Sequence, residues 1–398
     1  MGQLSSAVCQ RSVMFPAIEH PLSPALTRGC PDTSTADVAY PAEVGYDYAA
    51  VPRELFAPAP AAGLDRWAPL LPPLAAPGLG EGGTPLLEIA DGLLVKDESR
   101  NPTWSHKDRL NRCTTSAAVA EGAPGIVVAS SGNHGASAAA YAARAGLPCV
   151  VLASAGAPPA VASFLAAYGA TVLAVPEEAR WPLMRRIVDE LGLHPVSNLT
   201  EQHTGHAWGP EGYKTIAYEI FAERGGVPAA VFVPTGYGEL LFGVWKGFQE
   251  LHDLGLADRV PRMFACEPAA GGPLSRALAK GVPAVRVDVG PTAAYAIDSA
   301  VSGYRGVAAI TRSGGAALLV SDEEMAAAQR ELAGAGLWQE LSGAAGLAGF
   351  RQLRDVEGPV VCIATSSGFK DLGVGATPPE PVEPTWEAVE ARLRAAGF

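Results

Sequence analysis

From Gly125 onward the chain alternates short apolar runs with segments of helical period. Gly125-Ile-Val-Val-Ala129 has no polar face, so it predicts a strand buried on both sides, followed by a glycine turn and a helix over Ala136 to Ala145. Pro148-Cys-Val-Val-Leu152 predicts the next strand, Pro159 to Tyr168 a helix opened by proline, and Thr171 to Val175 a further strand. The same order returns downstream. Ala229-Ala-Val-Phe-Val233 reads as a strand entering the turn at 234–240, which opens a long helix through Leu254, and Met263-Phe-Ala-Cys266 and Pro359-Val-Val-Cys-Ile363 are additional strands. Strands alternating with helices imply parallel sheets. The expected fold class is α/β, with two open, twisted, parallel-sheet lobes and a cleft between them. Residues 1–60, rich in Pro, Ala and polar residues with weak periodicity, form an N-terminal extension; 61–124 with 210–398 form a large domain, and 125–209 a small mobile α/β domain.

A chain of 398 residues with 48% apolar content can bury two substantial cores. Its net charge of −12 argues against nucleic acid or an anionic membrane as the main partner. No apolar run reaches spanning length and no basic-then-apolar segment opens the chain, so the reading is a cytoplasmic protein acting on small molecules. The six cysteines are scattered, against a disulfide framework, and Cys149 and Cys266 lie in apolar runs as core residues.

Four segments carry chemistry. Asn101-Pro-Thr-Trp-Ser-His106-Lys107-Asp-Arg109 places a lysine where a loop enters a helix beginning near Asp108. Ser130-Ser131-Gly132-Asn133-His134-Gly135 follows a strand and opens a helix, whose free N–H groups suit a carboxylate, while the Asn133 amide can donate to a hydroxyl. Pro234-Thr235-Gly236-Tyr237-Gly238-Glu239-Leu240 repeats that arrangement and suits a phosphate dianion. It lacks Gly-Lys-Ser/Thr, the third glycine and the distal acid of nucleotide sites. Thr365 and Ser366 end a late strand, and a hydroxyl there facing a pyridine nitrogen would leave that nitrogen largely unprotonated. Each segment alone has a plain structural explanation, such as a surface lysine, a capped glycine turn or a strand end. Together they read as an aldehyde anchor, a ring-hydroxyl clamp, a phosphate cradle and a ring-nitrogen partner for pyridoxal 5'-phosphate.

In this order the segments resemble the fold type II (tryptophan-synthase-β-like) pyridoxal-phosphate enzymes, most closely the threonine synthase branch, over nearly the whole chain. Gly80-Glu-Gly-Gly-Thr84-Pro85, Val95-Lys-Asp-Glu98, Glu211-Gly-Tyr-Lys214-Thr215, Val244-Trp-Lys-Gly-Phe-Gln-Glu250, Gly343-Ala-Ala-Gly-Leu-Ala-Gly349 and Gly368-Phe-Lys-Asp371 are similar to that family's motifs. The resemblance implies that Lys107 is the Schiff-base lysine. It further implies that Asn133, with Thr235 to Leu240, Thr365 and Ser366, holds the cofactor. Ser130, Ser131, Gly132, His134, Thr84, His106 and Lys214 are expected to bind an amino-acid substrate, and a homodimer is the family default.

Three departures matter. A Cys-x-x-Cys metal knuckle found in many relatives is reduced to Cys9-Gln-Arg-Ser12 and Cys30-Pro-Asp-Thr33, and two thiols cannot close a tetrahedral zinc site, so no metal is expected. The Asn-Pro-x-Arg segment, whose arginine helps threonine synthases hold the phosphate of O-phosphohomoserine, is His206-Ala-Trp-Gly209 here, with His206, His203, Lys214 or Arg109 as replacements. The phosphate turn has Gly236-Tyr237 for Gly-Asn, and Trp104-Ser-His106-Lys107 stands for Gly-Ser-Phe-Lys, with Trp104 expected to narrow the pocket and His106 read as a proton shuttle or a buried ring. The function expected is a lyase or synthase catalysing β- or γ-elimination, or elimination with replacement, on a hydroxy or O-activated L-amino acid. Threonine synthase proper and serine/threonine dehydratase are the alternatives within that class. A non-catalytic protein on the same fold would have lost Lys107 or the phosphate turn, and both are present.

Overall fold

The computed structural model describes residues 4–57, 63–154, 159–353, 356–371 and 381–397. Three sheets organise them. The first is antiparallel, with β1 (Ala7–Ser12) between β2 (Glu19–Pro21) and β3 (Ala42–Tyr46). The second has six strands: β4 (Leu86–Ala90), β5 (Leu93–Asp97), β10 (Ala230–Pro234), β11 (Arg262–Pro268), β12 (Ala316–Val320) and β13 (Val360–Ala364), in the order β12-β11-β10-β13-β5-β4. All its pairings are parallel except the edge pair β4–β5. The third is wholly parallel, with β6 (Ile126–Ala129), β7 (Cys149–Ala153), β8 (Thr171–Ala174) and β9 (His194–Pro195) in the order β8-β7-β6-β9.

The helices are α1 (Lys107–Ala120), α2 (Asn133–Ala145), α3 (Pro159–Ala167), α4 (Glu177–Leu191), α5 (Gly209–Arg224), α6 (Glu239–Asp253), α7 (Pro273–Lys280), α8 (Tyr304–Ser313), α9 (Asp322–Gly334), α10 (Ala345–Gln352) and α11 (Trp386–Ala395). Each central strand feeds both faces of its sheet. On β10, Val231 and Val233 pack with α5 and α6, while Ala230 and Phe232 pack with α9 and α10. In the smaller lobe Ile126 and Val128 face α2 and α3, and Val127 faces Met184 of α4. That two-sided burial is why these strands read as unbroken apolar runs.

The N-terminal sheet departs from the weak periodicity of residues 1–60. All five residues of β3 are buried, so it has no polar alternation, and a bulge between Ala7 and Cys9 breaks the pattern of β1. The buried Glu43 in β3 is paired with Lys246 of α6 at 3.2 Å and with Arg11 at 2.9 Å. Cys30 Sγ lies 3.4 Å from His20 Nε2.

The start of α1 is held by a buried ion network. Arg109, fully buried, forks between Glu98 (2.7 and 2.8 Å) and Glu219 of α5 (2.6 and 2.8 Å), and also donates to Thr84 and Thr215. α1 and α5 cross so closely that a Cβ on Gly212 would stand 1.9 Å from the Arg109 carbonyl oxygen. Removing one partner of a buried, hydrogen-bonded ion pair leaves the others uncompensated. Arg109→Met should therefore lower unfolding free energy by about 3–5 kcal/mol in chemical denaturation, and a loss below about 1 kcal/mol would refute the anchoring role.

A second expectation concerns pH. Glu267, at the end of β11, accepts from the N–H groups of Leu274 (2.9 Å) and Ser275 (2.8 Å) in the first turn of α7, and burial pushes its carboxyl up from 4.5 to about 7. With the folded value above the unfolded one, its stabilisation is complete below pH 4.5 and lost as pH rises through about 7. Glu267→Gln should shrink the drop in thermal midpoint between about pH 5 and about pH 8; calorimetry showing an unchanged drop would assign the titration to another group.

Candidate active site

A cleft of about 320 Å³ opens where the C-terminal ends of both parallel sheets face each other. Lys107, the first residue of α1, lines it half-buried. Burial pulls its ammonium below the ordinary lysine range, while Glu239 and then Glu340 oppose the shift. The two residues after it point elsewhere: Asp108 accepts from Thr103 and from Ser137 of α2 (2.6 Å), and Arg109 makes the fork described above. Three consecutive positions on one turn thus serve the cleft, the other lobe and the α5 anchor, because a helix turns about 100° per residue.

Two helix N-termini open on the cleft without a side-chain cap. α2 begins after Gly132 and α6 after Gly238, and neither cap residue offers a side-chain acceptor. Gly238 has φ +85°, and a Cβ there would meet the backbone of Gly306 at 3.0 Å, so the turn requires glycine. Ser130, Ser131, Gly132, Asn133 and His134 line one wall; Thr235, Gly236, Tyr237, Gly238, Glu239 and Leu240 line another. Thr235 turns its hydroxyl back to the Val233 carbonyl (2.8 Å), and Glu239 pairs with Arg305 at 3.1 Å. The N–H groups of these turns, rather than their side chains, suit a carboxylate and a phosphate.

Asn133 donates to both oxygens of Glu340 (3.0 and 3.1 Å) and accepts from Lys370 Nζ (2.8 Å) and Ser366 Oγ (3.1 Å). Ser366 therefore supports Asn133 from behind, whereas Thr365 lines the cleft itself. Burial, with Asp371, pushes Glu340 up to about 7, and burial pulls Lys370 down to about 8. The Thr365 carbonyl accepts from His106 N–H (3.0 Å) and lies 3.1 Å from His106 Nδ1. Since a carbonyl only accepts, Nδ1 carries the ring proton and Nε2 is a bare acceptor. Burial, then Lys107, holds His106 well below the usual histidine range, so the ring is neutral. Burial, then Lys107, takes His134 down to about 3, and its Nε2 is buried without a hydrogen-bond partner.

Other expectations land outside the cleft. Thr84 donates to Glu98 at 2.6 Å, and Lys214 is paired with Glu211 (2.8 Å) and Glu250 (3.0 Å); both are buried in these networks and do not line the cleft. Arg109 is equally committed. Trp104 does not narrow the pocket: its ring is 42% exposed and packs edge-on against Phe164 of α3, with centroids 5.3 Å apart. The backbone explains this, since Trp104 sits at φ +64°, a strained value for a bulky residue that swings its ring to the outer rim. His206 lines the cleft with both nitrogens occupied. Its Nδ1 accepts from Trp208 N–H (3.0 Å) and its Nε2 is 2.9 Å from Nε2 of His194, which in turn faces Glu121 at 3.2 Å.

Three contributors escaped the sequence reading. Glu340 stands singly in a loop with no motif around it. Lys370 was legible only as part of Gly368-Phe-Lys-Asp371. Arg180 lies on α4, which carries Pro182 in its interior and for which the sequence reading predicts no element.

The donor set fits pyridoxal phosphate: a half-buried amine, two uncapped helix N-termini, an amide for a ring hydroxyl and a threonine at a strand end. Residues 78–366 match the family model described as pyridoxal-phosphate dependent enzyme. The chain is 34% identical to the threonine synthase of Methanosarcina acetivorans over 329 residues, covering 77% of this chain and 80% of that protein. It is 33% identical to the threonine synthase of Mycobacterium tuberculosis over 344 residues, covering 80% and 90%. The solved structure of the processed form of threonine deaminase isoform 2 from Solanum lycopersicum superposes with a TM-score of 0.61 at 20% identity, covering 79% of this chain and 88% of that one, a likeness of fold. Geometry, family match and relatives agree that this chain belongs to the pyridoxal-phosphate-dependent enzymes of fold type II, as a threonine-synthase-like lyase that uses pyridoxal 5'-phosphate.

Proposed function

We propose that the protein eliminates a hydroxyl or O-activated group, an O-phosphate included, from the β or γ carbon of an L-amino acid, with Lys107 as its catalytic amine. The observation that carries this reading is convergence: Lys107, the neutral His106, Thr365 and the two uncapped helix N-termini all border one cleft. Lys107 would hold the cofactor's aldehyde carbon, Asn133 its ring hydroxyl, the N–H groups of 236–240 its phosphate, and Thr365 its ring nitrogen. When bound, the cofactor supplies an electron sink for the substrate's Cα.

The chain's own groups do the rest. The amides at the start of α2, with Ser130 and Ser131, orient the substrate carboxylate. The Lys107 amine, made less basic by burial, takes the Cα proton. His106, whose Nε2 carries no proton, would move a proton toward the departing oxygen, and His134 Nε2 would accept from a substrate hydroxyl or ammonium. A homodimer acting in the cytoplasm completes the reading, supported by the default of twofold assembly and by six free thiols.

Threonine synthesis proper is the second reading, favoured by the named relatives. Three of the four replacements for the missing arginine count against it, because Arg109, Lys214 and His206 all have their polar atoms engaged elsewhere. The fourth, His203, is a neutral ring, held well below the usual histidine range by burial and then by Arg305. The assay is release of phosphate, ammonia and 2-oxo acid from O-phosphohomoserine, threonine, serine and O-phosphoserine. Threonine plus phosphate from O-phosphohomoserine alone would select the second reading.

Lys107→Ala should abolish the visible band of the bound cofactor and lower turnover by at least about 1,000-fold; a retained band would move the anchor to another lysine. His106→Phe should keep that band while lowering kcat by about 100-fold with little change in KM. Equal kcat in stopped-flow and steady-state assays of the two proteins would leave His106 as packing only.

A further inference from the structure

We propose that Arg180 selects the substrate by its side chain, and that the group it reads is a single distal carboxylate. This rests on the function just given and supplies the substrate class that reading leaves open.

Among the described residues lining the cleft, Arg180 is the only guanidinium, and Lys107 is the only other group charged positively as a rule. Arg180 Nη1 faces Ser131 Oγ at 3.5 Å, and Ser131 Oγ lies 2.7 Å from Ser154 Oγ, so the guanidinium stands beside the turn that orients the substrate's α-carboxylate. Its Nε is buried with no hydrogen-bond partner. Its remaining arm pairs with Glu177, whose side chain is 75% exposed while that of Arg180 is 15% exposed. So exposed an i,i+3 pair contributes little, and Glu177 turns to solvent when a better-placed anion arrives.

The charge around Arg180 limits what that anion is. Asp298 lines the same cleft, and burial, then Glu177, pushes its carboxyl up to about 6 against the pull of Arg180. Two carboxylates and one guanidinium resist a phosphate dianion but accommodate a monoanion whose two oxygens match the guanidinium fork. The stacked rings of His203 and Tyr237 (centroids 4.2 Å apart), with Trp181 against Tyr237 at 5.9 Å, line the same cleft. The substrate class is an amino dicarboxylic acid with oxygen on its β carbon, 3-hydroxyaspartate being the simplest. The Cα proton goes to Lys107, the Cβ–O bond breaks, and the hydroxide leaves as water with one proton. The released enamine takes up one water and gives the 2-oxo dicarboxylic acid and ammonia, so no oxidant or reductant is needed.

The test is calorimetric titration of the holoenzyme with L-aspartate, which lacks a β leaving group, and with L-alanine, for the wild type, Arg180→Gln and Arg180→Lys. Kinetics on 3-hydroxyaspartate, serine and O-phosphoserine accompany it. The wild type should prefer aspartate to alanine by about tenfold or more, Arg180→Gln should erase that preference, and Arg180→Lys should keep part of it. Retention of the cofactor's visible band and thermal midpoint checks that the variants are folded. If the preference survives in Arg180→Gln, or aspartate and alanine weaken in step, the guanidinium serves the α-carboxylate common to both and the proposal is wrong. Faster turnover of O-phosphoserine than of 3-hydroxyaspartate overturns it too. A wild type that binds neither amino acid and shows no cofactor band refutes the function itself, and this proposal with it.

Discussion

The fork of Arg109 between Glu98 and Glu219 is the constraint on which the site depends. It holds the first turn of α1 against α5 with no freedom to roll, and Gly212 brings the two backbones into contact at that level. A catalytic amine needs placement within a fraction of an ångström. Lysine, with four rotatable bonds, cannot supply that by itself. Here the precision is lent by its neighbours: Arg109 fixes the helix azimuth and Asp108 ties it to Ser137 in the other lobe. The buried charges of the fork are tolerable because Arg109 meets a carboxylate on each side and hydrogen-bonds both.

Much of this was legible in the sequence, for a physical reason. Strands buried on both faces write themselves as unbroken apolar runs, and turns that need glycine or an uncapped helix start leave few alternative residues. The strands over Ile126–Ala129 and Ala230–Pro234, with their turns, were readable on those grounds. What stayed hidden depends on three-dimensional pairing. β3 is buried on both sides yet carries Glu43, because Lys246 and Arg11 meet it from distant parts of the chain. Thr84 and Lys214 look like site residues when motifs are read in a line, but their side chains complete ion networks behind the site. Glu340 gave no signal because its role rests on Asn133, more than 200 positions away. Trp104 was placed in the pocket from its sequence position, and its left-handed backbone sends it out.

The cleft also shows how one architecture changes its substrate without changing its cofactor. The groups suited to the cofactor are mostly backbone N–H and a few short side chains, which tolerate little change. On the proposal made above, the groups facing the substrate's side chain come from α4 and the loop around Asp298. Selectivity would then be set outside the motifs shared with the family.

The paired rings of His194 and His206 have a consequence of their own. Each of their outer nitrogens is spoken for, one by Trp208 and the other by Glu121, so the 2.9 Å gap between them has room for a single hydrogen. A second hydrogen in that gap would set two donors face to face where β9 meets the segment leading into α5. One hydrogen thus closes an internal joint that is fastened at both outer ends by unrelated parts of the chain.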